Sequence, residues 1–234
     1  MMEDIVYFNK ITELMESLEG EVFTDPFPHL IIKNYYNKKE LELVWEELNF
    51  YTKPGKLLPA EKYGGVVGYT EAKAISLDAL YTDHSSNGGA NFRSISNILR
   101  VSRKLFTSGI LDEFAKIHDC CSLAPKCNND FTKVRYYHNG ESYAPHIDKT
   151  FQFLAFSYFY KEPKKFTGGE LMFPKYNYEL TCENNSIIIM PGWVQHGVNE
   201  VKIEDSNYYD GYGRYCISNF FTCNASVFQK KDKK

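Results

Sequence analysis

From about Phe131 to Phe228 the chain reads as one strand after another, and that run limits what it can fold into. The clearest segments are Thr132–Tyr137, Thr150–Tyr160, Gly169–Phe173, Ser186–Met190, Val194–Val201 and Tyr212–Thr222, rich in the β-branched and aromatic residues that suit a pleated surface. Turn signals separate them at His138-Asn139-Gly140, Thr167-Gly168-Gly169, Glu183-Asn184-Asn185, Pro191-Gly192 and Asp210-Gly211. Many short strands so punctuated form a sandwich or jelly roll. An aromatic share of 16%, with 18 Tyr and 17 Phe, agrees with a sheet-rich structure.

The first half has a different rhythm. Ile5, Phe8, Ile11, Leu14 and Leu18 recur at helical spacing, and so do Leu41, Val44, Trp45 and Leu48 within Lys38–Phe50. Phe27–Ile32 reads as a short strand between them. Residues 52–91 carry Gly, Ser and Asn in quantity and read as a long loop, with 62–91 the candidate lid. Arg93–His118 predicts one long helix or two short ones, broken at Thr107-Ser108-Gly109. Helices first and strands later predict an α+β fold whose N-terminal helices buttress one sheet. No repeat or linker interrupts the 234 residues, so a single domain is expected. Residues 1–130 would be its helical buttress and lid, and 131–228 its jelly-roll core.

A net charge of -3 lacks the basic footprint of a nucleic-acid binder. No apolar run is long enough to cross a bilayer, and Met1–Glu19 lacks the pattern of a signal peptide, so the chain reads as cytoplasmic. The basic run Lys230–Lys234 reads as a solvated tail. Six cysteines in such a chain are expected as reduced thiols. Cys120, Cys121 and Cys127 lack zinc-ligand spacing, and no pair completes a set of four.

The chemistry-bearing feature is His146-Ile147-Asp148. On a strand, residues two apart project to one face, so an imidazole and a carboxylate would converge. His196 lies 50 residues later, beyond the Pro191-Gly192 turn and on another strand. Two His and one carboxylate form the facial triad suited to non-haem iron(II). Alone, a His-x-Asp more often marks a surface ion pair. On the last strand Arg214, Cys216 and Ser218 share one face, opposite Tyr215, Ile217 and Asn219. An arginine pointing inward from so apolar a strand needs an anion, either a structural carboxylate or a ligand.

Taken together, His146-Ile147-Asp148, Thr167-Gly168-Gly169-Glu170-Leu171, His196-Gly197-Val198 and Arg214-Tyr215-Cys216-Ile217-Ser218 resemble, in order and wording, the prolyl-hydroxylase-like 2-oxoglutarate oxygenases. Tyr136–Tyr143 looks like the strand and turn that precede the family's first His. The resemblance covers roughly 131–222, and more loosely the helical region from about 27. It implies a double-stranded β-helix, iron(II), 2-oxoglutarate and oxygen, with ascorbate an optional addition. His146, Asp148 and His196 would hold the metal, and Arg214 the distal carboxylate of 2-oxoglutarate. Tyr136 falls near the family's cosubstrate tyrosine, Tyr158 where a second tyrosine donates to that carboxylate, and Ser218 beside it. The family places its basic residue closer to the second His than the eighteen positions found here. The extra residues read as a longer polar hairpin around Glu204–Gly211, and the one rival cation, Lys202, lacks the surrounding motif.

A prolyl residue of a peptide or protein is the first substrate such a resemblance suggests. A free amino acid or other small molecule is the second. A jelly-roll binding module without turnover is the alternative of a different class, and an ordinary β-sandwich with structural His and Asp is the third.

Overall fold

The computed structural model describes residues 20–63, 72–83, 90–204 and 207–223. Its centre is an antiparallel sheet in the spatial order Gly20–Phe23, His29–Ile32, Ser186–Pro191, Phe153–Phe159, Arg214–Thr222, Asn129–Tyr137, Lys73–Ser76 and Leu58–Pro59. A smaller sheet runs Tyr178–Leu180, Leu171–Phe173, His196–Val198, Tyr143–His146, and Phe166–Gly168 pairs separately with Val201–Ile203.

The central strands are apolar on both faces because both are covered. Leu154, Phe156 and Tyr158 pack with Ile188, Met190, Cys216 and Phe220 toward the smaller sheet. Their neighbours Phe153, Ala155 and Phe159 pack with Ile187, Ile189, Tyr215 and Ile217 toward the helices. Each large apolar side chain fully buried in this way contributes about 1.5–3 kcal/mol. The helix Lys38–Tyr51 starts at a capping box, in which Asn37 accepts from the Glu40 amide and Glu40 from the Asn37 amide. Val44 and Leu48 meet the sheet from this helix, joined by Ile98, Leu99, Leu105, Ile110 and Phe114 from Asn97–Ser102, Lys104–Thr107 and Ile110–Ile117. The fold is thus α+β, a jelly roll with helices on the outer face of its larger sheet.

Several expectations change. The long loop is interrupted by core structure: Lys73–Ser76 pairs with Asn129–Tyr137, and Leu77–Tyr81 is a helix capped by the Ser76 hydroxyl. The larger sheet therefore draws strands from the first half, and residues 1–130 are more than a buttress. Residues 64–71 and 84–89 of the lid stretch, the Ile5–Leu18 periodicity and the basic tail lie outside the described residues. Glu204–Gly211 is not a hairpin turn. The flanking strands do not pair with each other: Val201–Ile203 pairs with Phe166–Gly168 and Arg214–Thr222 with Phe153–Phe159 and Asn129–Tyr137, and Tyr208–Asp210 is a 3-10 turn. All six cysteines are free thiols, and no described helix is long and apolar enough to cross a membrane.

Candidate metal and anion site

The strand Tyr143–His146 ends at His146, so Asp148 stands in the following loop rather than two positions along a strand. The expected convergence still occurs. His146 pairs with His196 across the ladder, and their ring centroids are 4.5 Å apart. Gly197 permits that approach, because a Cβ there would stand 2.7 Å from the Tyr143 carbonyl oxygen. Asp148 Oδ1 is 3.9 Å from His146 Nε2, and Oδ2 is 3.6 Å from His196 Nε2. Among the described residues these three are the sole group of His, Cys, Asp or Glu able to surround a metal ion, with ligand atoms within 4.8 Å of one another.

The tautomers suit that use. His146 Nδ1 lies 3.0 Å from the Ala144 carbonyl and His196 Nδ1 2.9 Å from the Val194 carbonyl. Each Nδ1–H donates to backbone, which leaves the Nε2 lone pair facing the cluster. Burial, then the neighbouring His146, pushes the His196 pKa down to about 4, and burial lowers that of His146. Both rings are neutral at pH 7, the state a metal ligand requires. Two neutral imidazoles and a carboxylate, with the remaining directions open, match the donor set of non-haem iron(II).

These residues line one cavity with Arg214, Tyr158 and Ser218. Arg214 is 1% exposed and lies between the rings of Tyr137 and Tyr158, its guanidinium carbon 4.9 Å from each centroid. Its Nη2 donates to Cys182 Sγ at 3.3 Å, while Nε and Nη1 have no partner. The Tyr158 hydroxyl is also unpartnered, and burial raises its pKa so that it keeps its proton. No carboxylate pairs with Arg214 among the described residues, so the structural ion pair is not what is found. A buried guanidinium with spare donors beside a phenol donor fits one end of a dicarboxylate. Gly169 makes room for this arginine: its φ is +74°, and a Cβ would meet Arg214 Cδ at 2.8 Å.

Tyr136 is not part of this cavity. It faces the helices, where its hydroxyl accepts from the Gly213 amide at 3.0 Å and donates to the Tyr208 carbonyl at 3.2 Å. Strand alternation puts Tyr137 in the cavity instead. Sequence reasoning also missed Arg135, a second buried guanidinium on the cavity wall, 7% exposed. The signal is its position: Arg135 lies two residues before Tyr137 on a strand that the sequence marks, and so shares its face.

No protein-family model matches the chain, and no curated protein does. Solved structures match it at low identity. One is a prolyl-4-hydroxylase of Pseudomonas putida, 13% identical over 92% of this chain and 97% of that one, with a TM-score of 0.50. A prolyl hydroxylase from Trichoplax adhaerens, in complex with a hypoxia inducible factor peptide fragment, is 12% identical over 97% and 92%, with a TM-score of 0.53. An oxidoreductase of the 2OG-Fe(II) oxygenase family from Burkholderia pseudomallei is 11% identical over 92% and 90%, also at 0.53. At such identities the likeness is one of fold, and the fold of this chain is the double-stranded β-helix of the prolyl hydroxylases and 2OG-Fe(II) oxygenases.

Proposed function

We propose that the protein is an iron(II)- and 2-oxoglutarate-dependent dioxygenase that hydroxylates a substrate C–H bond. The observation that carries this reading is the pairing, in one cavity, of the His146, Asp148 and His196 cluster with the unpartnered donors of Arg214. A metal-binding module would use the first and leave the second without purpose. A plain β-sandwich would supply Arg214 with a carboxylate.

In this reading His146, Asp148 and His196 hold the iron, and their carbonyl partners fix both imidazoles before the metal arrives. Arg214 and the Tyr158 hydroxyl receive the distal carboxylate of 2-oxoglutarate, with Ser218 on the same wall. When bound, the metal and cosubstrate supply oxidative decarboxylation of 2-oxoglutarate to succinate and carbon dioxide, coupled to hydroxylation by oxygen. Phe156, Leu171, Val198 and Phe220 line the cavity with apolar surface that keeps bulk water from the reacting groups.

The fold likeness to prolyl hydroxylases, one of them peptide-bound, makes a prolyl residue of a peptide or protein the first substrate to try. A free amino acid or other small molecule is the second reading, and Arg135 favours it. Purified protein given iron(II), 2-oxoglutarate and air should form succinate in a reaction that needs both additions and is absent in His196→Ala. Succinate no higher than in that variant, with or without a prolyl peptide, would contradict the proposal.

A further inference from the structure

We propose that the substrate carries a carboxylate and that Arg135 receives it. This rests on the oxygenase reading above and names the substrate class for the same cavity.

Phe131, Lys133, Arg135 and Tyr137 alternate onto the inter-sheet face of Asn129–Tyr137, and Arg135 lies opposite Cys216 of the strand that carries Arg214. Its Nη1 donates to Ser218 Oγ at 2.8 Å, and its guanidinium carbon is 5.5 Å from the Tyr143 ring centroid and 5.7 Å from that of Phe220. Its Nε has no partner, and among the described residues no carboxylate lies within ion-pair distance of it. The neighbouring Lys133 is likewise unpaired, its ammonium 5.3 Å from the Phe131 ring and 5.5 Å from the Phe220 ring. Burial, then the neighbouring Arg135, pushes the Lys133 pKa down to about 8 against the pull of Asp148.

Charge balance points the same way. Among the described residues Asp148 is the one carboxylate on the cavity wall, which also holds two buried guanidinium groups. Iron(II) and a dianionic 2-oxoglutarate cancel each other, and Asp148 offsets one arginine. One positive charge remains, and an uncompensated buried charge is costly. Arg214 and Tyr158 already present donors for one end of 2-oxoglutarate, and the metal takes the other. Arg135 is therefore left for a further anion. A guanidinium held by Ser218 and two aromatic faces presents its free edge as a planar fork, the geometry that matches a carboxylate. That carboxylate belongs either to a free amino acid or similar small acid, or to an acidic residue or C-terminus of a peptide.

The test compares succinate formation across three arms. The first is the set of free L-amino acids, each against its own carboxamide. The second is a prolyl peptide with blocked ends and no acidic residue. The third is the same peptide with a free C-terminus or a flanking Glu. Each is run with the wild type, Arg135→Gln and Arg135→Lys. A parallel titration follows the weak visible absorption that 2-oxoglutarate gives on iron(II) without oxygen. The expected result is that an acid from the first or third arm accelerates succinate formation, and its uncharged counterpart does so poorly. Arg135→Gln should raise the KM for that acid at least about 30-fold, and Arg135→Lys should restore part of the loss. The absorption titration should give the band in both variants, with a midpoint shifted far less than in Arg214→Met, which also shows that they are folded.

Three results would overturn the assignment. Arg135→Gln could weaken 2-oxoglutarate binding as strongly as a parallel Arg214→Met variant, which would give Arg135 to the cosubstrate. The blocked neutral peptide could be the best substrate and indifferent to Arg135→Gln. Or no acid in either arm could accelerate turnover. A wild type that shows no absorption band fails the oxygenase reading itself and takes this proposal with it.

Discussion

Along Arg214–Thr222, alternate residues enter environments of opposite character. Toward the helices, Tyr215, Ile217 and Phe221 pack in an apolar layer whose buried carboxyl group is fully engaged. Glu47 there accepts from the Tyr51 hydroxyl at 2.6 Å, the Ser96 hydroxyl at 2.9 Å and the Ile98 amide at 2.7 Å. Toward the smaller sheet, Arg214 and Arg135 are as deeply buried, yet both keep N–H groups with no acceptor. A layer that only folds pairs its buried charges, because a charge left without a partner is costly. A layer that binds leaves donors for its ligand. One sheet thus carries a structural face and a functional face, and unsatisfied charge tells them apart.

Exchanging charge for neutrality on each face should therefore have opposite consequences. Glu47→Ala should cost about 3 kcal/mol or more in chemical denaturation, since it strands several buried donors. It should leave the 2-oxoglutarate midpoint of the folded fraction unchanged. Arg214→Met should raise that midpoint at least about 30-fold, while the metal-free protein loses no stability. A large loss of stability in Arg214→Met would erase the distinction between the faces.

Acidity probes the functional face of the metal-free protein. The folded state holds His196 at about 4, below the ordinary value of about 6.5 for a free imidazole. The neutral ring is therefore favoured by folding. Its contribution is complete above pH 6.5 and is lost as pH falls from there toward 4, by about 3 kcal/mol in all. His146, His29 and His138 shift in the same direction. Urea midpoints measured in the presence of chelator should fall between pH 7.5 and 5, and less steeply in His196→Gln.

Smaller effects sharpen the boundary. Gly169→Ala puts a Cβ against Arg214 at a positive φ, so it should cost about 1–2 kcal/mol in stability and raise the 2-oxoglutarate midpoint as well. Tyr158→Phe removes an unpartnered donor from the cavity and should weaken 2-oxoglutarate roughly threefold to tenfold. Tyr136→Phe acts on the helix side and should leave that affinity untouched. Equal effects from the two tyrosines would place the boundary wrongly.

The pattern of these two faces explains what could be read in the sequence. Phe153–Phe159 and Ser186–Pro191 are buried on both sides and stand out as nearly continuous apolar runs, while Arg214–Thr222 keeps Arg214, Ser218 and Asn219 buried among its apolar residues. Lys73–Ser76 is four residues set in a Gly-rich stretch, too short for its periodicity to speak, and its place in the sheet comes from pairing with Asn129–Tyr137. Tyr143–His146 follows a turn-rich segment and is only four residues long, so its end at His146 leaves no mark in the sequence. Motif spacing brought His146, Asp148 and His196 together without needing the local backbone to be right. Tyr136 against Tyr137 was a question of parity, and a one-residue error in a strand exchanges its faces. The same alternation that exposed Arg214 would have exposed Arg135, had the strand begun from a known register.

The most direct measurement of the central claim is anaerobic titration of 2-oxoglutarate into the iron(II)-loaded protein, followed by its weak visible charge-transfer absorption. The account predicts a band in the wild type, lost in His146→Ala and recovered in Arg214→Met only at much higher 2-oxoglutarate. A stably folded protein that binds no iron and gives no band at any concentration would contradict it.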